Sequence, residues 1–103
     1  MGDLLFISGQ IPLNSNGELI SADFEAETRQ VLKNILALLE AANCGFSDII
    51  KINIFTTDLS KFDLINQVYS EFVSEPFPAR AAVEVSALPK GARIEMEAIA
   101  SVK

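Results

Sequence analysis

The chain has 103 residues, of which half are hydrophobic and 21% are charged, and this length and balance favour one globular domain over residues 1–103. The formal net charge is −6 and the eight lysines and arginines do not cluster, which argues against a nucleic acid partner. The absence of histidine excludes the commonest general base and metal ligand, and no apolar run approaches the ~20 residues of a membrane span.

A strand and a turn are predicted at the start of the chain. The segment LLFISG, from Leu4 to Gly9, is typical of a strand, and Asn16-Gly17 indicates a turn with positive φ in the polar stretch that follows. Ser8 cannot be an activated nucleophile, because no histidine is present to deprotonate it. Ser8 is therefore interpreted as a hydrogen-bonding group, and Gly9 as an ordinary strand end or a place where a ligand approaches the backbone.

A long helix is predicted from about Phe24 to Ala42, with apolar residues at helical spacing. Asp23 or Ser21 can cap its first turn, and Gly45 just beyond its end suits a left-handed cap. Cys44, beside that cap, is interpreted as a small buried hydrophobic residue rather than a nucleophile. One cysteine cannot form an internal disulfide and no apolar leader opens the chain, so a cytoplasmic protein is expected.

The second half of the chain predicts a strand, a helix and two further strands. Isoleucines alternate with other residues from Ile50 to Ile54, which is strand periodicity. The segment from Ser60 to Asp63 resembles a capping box that opens a second helix, and Pro76 and Pro78 are expected to end it. The last two strands are predicted over Ala79 to Ser86 and Ala92 to Val102, with a short turn between them.

This β-α-β-α-β-β order predicts an α+β domain whose two helices cover only one face of the sheet. Alternation predicts the covered face as Ile50, Ile52, Ile54, Ala79, Ala81, Val83, Val85, Ile94, Met96, Ala98 and Ala100. It predicts the uncovered face as Lys51, Asn53, Phe55, Arg80, Ala82, Glu84, Arg93, Glu95, Glu97 and Ile99. Two interpretations of the uncovered face are open: a solvated face, which antiparallel sheets often have, or a subunit interface containing a few charged groups.

Arg80 and Glu95 are the strongest chemical candidates, predicted on adjacent antiparallel strands and pointing to the same side of the sheet. The simple interpretation, favoured on the pattern alone, is a cross-strand ion pair worth about 0.2–1 kcal/mol. In the functional alternative, Arg80 offers a bidentate fork to a substrate carboxylate and Glu95 holds a water or exchanges a proton. Asn66 and Tyr69 share one helix face and can reach a cleft, although core packing explains Tyr69 equally well.

The segments SGQIP (Ser8 to Pro12), FPARAAVEV (Phe77 to Val85) and IEMEAIA (Ile94 to Ala100) resemble the RidA family, also called YjgF or L-PSP. The similarity extends in order to ETRQVLKNI, to the strand from Ile50 to Thr57 and to NQVYSEF, so it spans essentially the whole chain. The resemblance implies a chorismate-mutase-like α+β fold with a mixed sheet, assembled as a homotrimer with clefts between subunits. It therefore favours the interface interpretation of the uncovered face.

The family consists of reactive-intermediate deaminases. The resemblance implies hydrolysis of 2-imino acids, formed from 2-aminoacrylate or 2-aminocrotonate, to 2-keto acids and ammonia, with no metal and no organic cofactor. By position, Arg80 matches the arginine that binds the substrate carboxylate, and Glu95 matches the glutamate that positions or activates the attacking water. Ser8 and Gly9 match a serine-glycine pair of the cleft, and Asn66 matches a helix asparagine near it.

Two positions differ from the family pattern. Many members have cysteine two residues after the arginine, where this chain has Ala82, whose backbone N–H can still contact a carboxylate. Members normally begin with an extra strand whose IGPYSQ-like motif places a tyrosine in the cleft, and this chain begins at MGDLLF, where the next strand is expected. Two other functions are weighed: a non-catalytic keto-acid-binding or regulatory protein, and a ribonuclease or translation inhibitor, against which the acidic charge and absent histidine argue.

Overall fold

The computed structural model describes residues 3–102, which form four strands and two α-helices. In chain order these are β1 (Leu4–Gln10), α1 (Phe24–Ala41), β2 (Ile49–Thr56), α2 (Phe62–Tyr69), β3 (Ala79–Glu84) and β4 (Ile94–Ser101). The predicted order of elements is confirmed. Within residues 3–102, no helix is both long enough and apolar enough to cross a membrane.

The strands form one mixed sheet in the order β1-β4-β2-β3. Strand β4 is antiparallel to both β1 and β2, whereas β2 and β3 are parallel and are connected through α2. The predicted adjacency of the last two strands is wrong, because β2 lies between them. A parallel pair needs a crossover, which α2 supplies, and the segment 85–93 then carries the chain past β2 to the far side.

Helix α1 begins as predicted but ends differently. The Asp23 carboxylate accepts a hydrogen bond from the backbone N–H of Ala26 at 2.7 Å, which confirms Asp23 as the cap. At the other end Asn43 adopts the left-handed conformation, with a φ of 60°. Gly45 is extended and its N–H donates to the side chain of Asp48, so the predicted glycine cap is wrong. Asparagine tolerates the left-handed region, which made the glycine unnecessary there.

Helix α2 is preceded by a 3₁₀ turn, Leu59–Lys61. Asp58 caps this turn, since its carboxylate accepts from the backbone N–H of Ser60 at 3.0 Å. The prediction of a capping box from Ser60 to Asp63 is therefore wrong. The helix ends at Tyr69, well before Pro76, so the prolines do not end it.

The core lies between the two helices and one face of the sheet. The buried residues of the two central strands include those predicted for that face: Ile52, Ile54, Ile94, Met96, Ala98 and Ala100. They belong to one cluster with the helix residues Val31, Leu32, Ile35, Leu39, Ile65 and Val68. Cys44 is buried in the same cluster, as predicted. A bulge in β2 turns Ile49 inward and leaves Ile50, which was predicted to be buried, 48% exposed.

In strand β3, the residues that point to the helix side and those that point away from it are the reverse of the prediction. Arg80 is level with the buried Ile52 of the parallel strand β2, so it points to the helix side of the sheet, and Ala82 and Glu84 do the same. The residues predicted for the core instead point to the open face: Ala79, Ala81 and Val83. Alanine is a weak indicator of either face, and β3 is an edge strand whose helix side is only partly covered. Its alternation therefore did not reveal which side is buried.

The opposite face of the sheet is covered by no helix of the described residues and is called the open face below. Phe6 on this face is 70% exposed, Leu4 is 49% exposed and Val83 is 45% exposed. Phe55 and Ile99 lie on the same face and are half-buried. The open face also carries the polar residues Lys51, Asn53, Glu95 and Glu97.

An ion pair connects the start of β4 to α1. Glu27 is only 4% exposed, and its carboxylate accepts from the Arg93 guanidinium, with 3.0 Å between Nε and Oε1. The guanidinium also donates to the Ala22 carbonyl and lies over the Phe24 ring. The hydrogen bond to Glu27 raises the pKa of Arg93. The prediction of Arg93 on the open face is therefore wrong: it precedes β4 and its side chain turns to α1.

Replacing Arg93 should destabilise the fold more than replacing an exposed arginine. Arg93→Ala leaves the Glu27 carboxylate buried without its partner. We expect the free energy of unfolding to fall by about 2 kcal/mol, less than for a fully buried pair because the Arg93 side chain is 41% exposed. Urea denaturation measures the loss. Arg29→Ala is the control, since Arg29 pairs with exposed carboxylates of α1 and the loop after α2, and equal losses would contradict this account.

Candidate functional site

Arg80 lies in a cluster formed by β3 and one face of α2. Its Nη1 donates to the side-chain oxygen of Asn66 at 2.6 Å. Its Cζ lies 5.0 Å from the centre of the Tyr69 ring and 5.2 Å from the centre of the Phe62 ring. Arg80 forms no ion pair within residues 3–102. The cation is thus held by an amide and two aromatic faces, and most of its N–H donors remain available.

Two open cavities adjoin the Arg80 side chain. One, of about 490 Å³, is lined by Leu59, Phe62, Arg80 and Ala82. The other, of about 440 Å³, is lined by Asn66, Tyr69, Ser70, Phe77, Pro78 and Arg80. Each is large enough for a small organic acid, and both have the guanidinium in a wall. The structure therefore brings together three of the residues predicted for the site: Asn66, Arg80 and Ala82.

Glu95 lies on the open face, close to β1. It is level with Phe55 of β2, and its carboxylate occupies the space beside Gly9. A Cβ atom at Gly9 would lie 1.7 Å from Oε2 of Glu95. Any larger residue at this position would therefore force the carboxylate to move. The group that lies close to Gly9 is the Glu95 side chain, so the structure gives this glycine a steric reason, and the approach of a ligand to Gly9 stays a prediction.

Ser8 lines a third cavity, of about 280 Å³, on the open face. The walls of this cavity include Phe6, Lys51, Asn53, Glu97 and Ile99. The amide of Asn53 donates to the carboxylate of Glu97 at 3.0 Å. Ser8 is thus a polar group among polar and apolar neighbours of the open face, in the same stretch of β1 as Gly9.

The predicted site residues fall into two groups. The first group lies on the helix side of the sheet at the β3 edge and consists of Asn66, Arg80 and Ala82. The second group lies where β1 and β4 pair and consists of Ser8, Gly9 and Glu95, with Glu95 on the open face. Strand β2 separates β3 from β4, and the two charged side chains point to opposite faces of the sheet. The predicted cross-strand ion pair between Arg80 and Glu95 is therefore wrong. Its premise was the adjacency of the last two strands, which the parallel pairing of β2 with β3 prevents.

Phe62 and Tyr69 both contact Arg80, and of the two only Tyr69 was predicted from the sequence to reach a cleft. Together with Asn66 they recur at helical spacing, so one face of α2 presents all three to Arg80. Aromatic residues at this spacing are typical of a hydrophobic core, so the position of Phe62 alone does not indicate a site. The available signal was Asn66, a polar residue in the middle of an otherwise apolar stripe.

Tyr69 contacts Arg80 through its ring and not through its hydroxyl. The residue is 7% exposed, and its hydroxyl oxygen is buried with no hydrogen-bond partner among the described residues. Burial raises the pKa of Tyr69, and the positive charge of Arg80 partly opposes that rise. The phenol is therefore neutral at physiological pH, and the aromatic face is the part of Tyr69 that stabilises the neighbouring cation.

Known proteins resemble this chain over nearly its whole length. The family model described as Endoribonuclease L-PSP matches residues 1–102. A RutC family protein of Pyrococcus horikoshii is 50% identical over 100 residues, which cover 96% of this chain and 79% of that protein. The human 2-iminobutanoate/2-iminopropanoate deaminase is 43% identical over 97 residues, which cover 93% of this chain and 71% of that protein.

Solved structures confirm the α+β fold. The crystal structure of E. coli TdcF with bound serine superimposes with a TM-score of 0.91 at 41% sequence identity, covering 100% of this chain and 84% of that chain. The family match, the sequence identities and the fold thus agree with the motifs around Ser8, Arg80 and Glu95. The chain belongs to the RidA family, also called YjgF or L-PSP.

Proposed function

We propose that the protein hydrolyses 2-imino acids, formed from 2-aminoacrylate or 2-aminocrotonate, to 2-keto acids and ammonia. The observation that carries this proposal is the Arg80 cluster, a cation with free N–H donors beside cavities of small-acid size. A guanidinium binds a carboxylate with two parallel hydrogen bonds, which fixes both position and orientation. The human relative, 43% identical, is named for this reaction.

The proposed chemistry needs orientation, a held water and proton exchange. Arg80 binds the substrate carboxylate, with the backbone of Ala82 beside it, and so orients C2. Glu95 accepts a proton from the water as the water oxygen bonds to C2, and this proton passes to the imino nitrogen. Glu95 next takes the proton of the new hydroxyl group and delivers it to the amino nitrogen, the C–N bond breaks, ammonia leaves and the C2 carbonyl forms, with no change in net redox state. Since an imine carbon is already electrophilic, holding the reactants in place supplies much of the acceleration.

This mechanism requires a second copy of the chain, because Arg80 and Glu95 point to opposite faces of one sheet. The open face supports such a contact. Phe6 is 70% exposed and Val83 is 45% exposed on a face that no helix of the described residues covers. Large apolar side chains exposed on both edge strands of an uncovered sheet face are typical of an interaction surface. A second copy is the occupant that also supplies the missing half of the site.

The proposed assembly is a homotrimer with one cleft at each junction. In each cleft the Arg80 group of one copy faces the Ser8, Gly9 and Glu95 group of its neighbour. The two surfaces in such a junction differ, so the contact is head-to-tail, and a head-to-tail contact closes into a ring when the rotation allows it. Small 2-imino and 2-keto acids are the proposed ligands of these clefts.

A second candidate is a protein that binds small keto acids without hydrolysing them, as a sensor or a partner protein. It is supported by the carboxylate-binding group, which is complete in one chain without Glu95. Calorimetric binding of 2-oxobutanoate together with no ammonia release by the wild-type protein would favour it. The ribonuclease named by the family model is the weakest candidate, given a net charge of −6 and no histidine.

Arg80→Ala should remove most of the catalytic acceleration. Loss of the charge-assisted hydrogen bonds to the substrate carboxylate should lower kcat/KM by about 100-fold. The measurement is ammonia release from enzymatically generated 2-aminoacrylate. Arg29→Ala is the matched control, because Arg29 pairs with Glu25 and Glu71 on the surface and should leave the rate unchanged. Wild-type rates in Arg80→Ala would overturn the deaminase proposal.

Gly9→Ala should displace Glu95 while leaving the protein folded. The new Cβ would overlap the end of a flexible side chain, which can rotate away. We expect kcat to fall at least about tenfold, because the carboxylate no longer holds the water, with little change in Tm. Gly45→Ala is the control, since a Cβ there meets nothing within 4 Å and φ is −134°. Full activity in Gly9→Ala would show that the position of Glu95 is unimportant.

Mixing two inactive variants tests whether the site lies between copies. Arg80→Ala lacks the carboxylate-binding half, and Glu95→Gln lacks the proton-exchanging half. If each cleft takes its halves from different chains, refolding an equimolar mixture should restore about one quarter of the wild-type ammonia release. Each variant refolded alone is the control. A mixture as inactive as its components would place both halves in one chain and contradict the proposed assembly.

A further inference from the structure

Phe62 and Tyr69 both contact the Arg80 guanidinium from one face of α2. These residues are two helical turns apart, which is about 10.5 Å of rise. The Cζ atom of Arg80 lies at nearly equal distances from them, 5.2 Å from the Phe62 ring centre and 5.0 Å from the Tyr69 ring centre. Both rings are therefore within cation–π distance of the same guanidinium. Asn66, which is between them in the helix, accepts its hydrogen bond at 2.6 Å.

A guanidinium in this environment has little freedom to turn. Arginine otherwise has a long side chain with many rotamers, and ordering it on binding opposes association. The attraction between a cation and an aromatic face holds the guanidinium against both rings, and the hydrogen bond to Asn66 limits its rotation between them. An arginine that is ordered before binding loses less conformational entropy when a carboxylate arrives.

We infer that Phe62 and Tyr69 are positioning residues that fix the Arg80 fork in the free protein, so that a carboxylate binds to a group already in place. This inference rests on the proposed function, because it specifies how the substrate carboxylate is bound. The carboxylate takes the N–H donors that Asn66 leaves free. Tyr69 acts through its ring, since its hydroxyl has no hydrogen-bond partner among the described residues.

Nuclear magnetic resonance of the free protein tests the arrangement without any ligand. The chain has three arginines, so Arg29→Lys and Arg93→Lys variants assign the Nε–H signal of Arg80. In the wild type we expect an order parameter above about 0.6 for this group. Phe62→Leu, which removes one ring from a half-exposed position, should lower the order parameter, and Tyr69→Leu should lower it as well. Tyr69→Phe retains both rings and should keep the wild-type value.

Calorimetry then tests whether the fixed geometry matters for binding. The probes are 2-oxobutanoate and its uncharged amide, 2-oxobutanamide. Phe62→Leu should weaken binding of the acid about fivefold and leave binding of the amide nearly unchanged. Under turnover KM should rise while kcat stays within about twofold, because Glu95 is untouched. Phe46→Leu is the matched control, since this half-buried ring faces Phe72, with 5.6 Å between ring centres.

The outcomes separate this inference from the proposed function. Lower Arg80 order and weaker acid binding in both leucine variants, with Tyr69→Phe behaving as wild type, support the inference. An unchanged order parameter or affinity in the leucine variants overturns it, as does equal weakening of acid binding in Phe46→Leu. A wild-type protein with an ordered, acid-binding Arg80 and no ammonia release supports the inference and overturns the deaminase proposal. No acid binding by the wild type overturns both.

Discussion

Two helices can bury only one face of a four-stranded sheet, and this constraint organises the whole molecule. Because α1 and α2 lie on the same side, the apolar alternation of β2 and β4 builds a single core there. The opposite face carries Phe6, Phe55 and Ile99 together with carboxylates, and no helix within residues 3–102 covers it. Residues on the two faces of one sheet cannot act on the same ligand. A site that needs both faces therefore needs two chains, which links the fold to the proposed assembly.

Arg80 shows how an obligatory cation is accommodated beside a core. Burying an unpaired guanidinium is costly, and β3 is an edge strand whose helix side is only partly covered. At this edge α2 supplies two aromatic faces and an amide oxygen, which stabilise the charge without neutralising it. The cation therefore remains available for an anionic ligand. On the other face, the Glu95 carboxylate occupies space that a side chain at position 9 would fill, so its placement depends on Gly9 being a glycine.

Much of this architecture follows from local sequence signals, and the errors arise where the determining contacts are distant. Strict alternation from Ile94 to Ala100 identified the buried side of β4, and Asp23 identified the start of α1. In β3, alanines on both sides of Arg80 gave no such contrast, so its faces were reversed. Strand order depends on pairing between distant segments, and no local pattern indicated that β2 lies between β3 and β4. Family motifs predicted the site residues as one set, whereas the structure divides them between the two faces of the sheet.

In the proposed assembly, one cleft combines Arg80 of one copy with Glu95 of another around a small 2-keto or 2-imino acid. A crystal structure of the protein with bound 2-oxobutanoate tests it most directly. We expect the ligand carboxylate to accept two hydrogen bonds from Arg80 of one copy, with the keto carbon facing Glu95 of a neighbouring copy. A ligand bound away from Arg80, or an assembly in which no Glu95 approaches an Arg80 of another copy, would contradict the account.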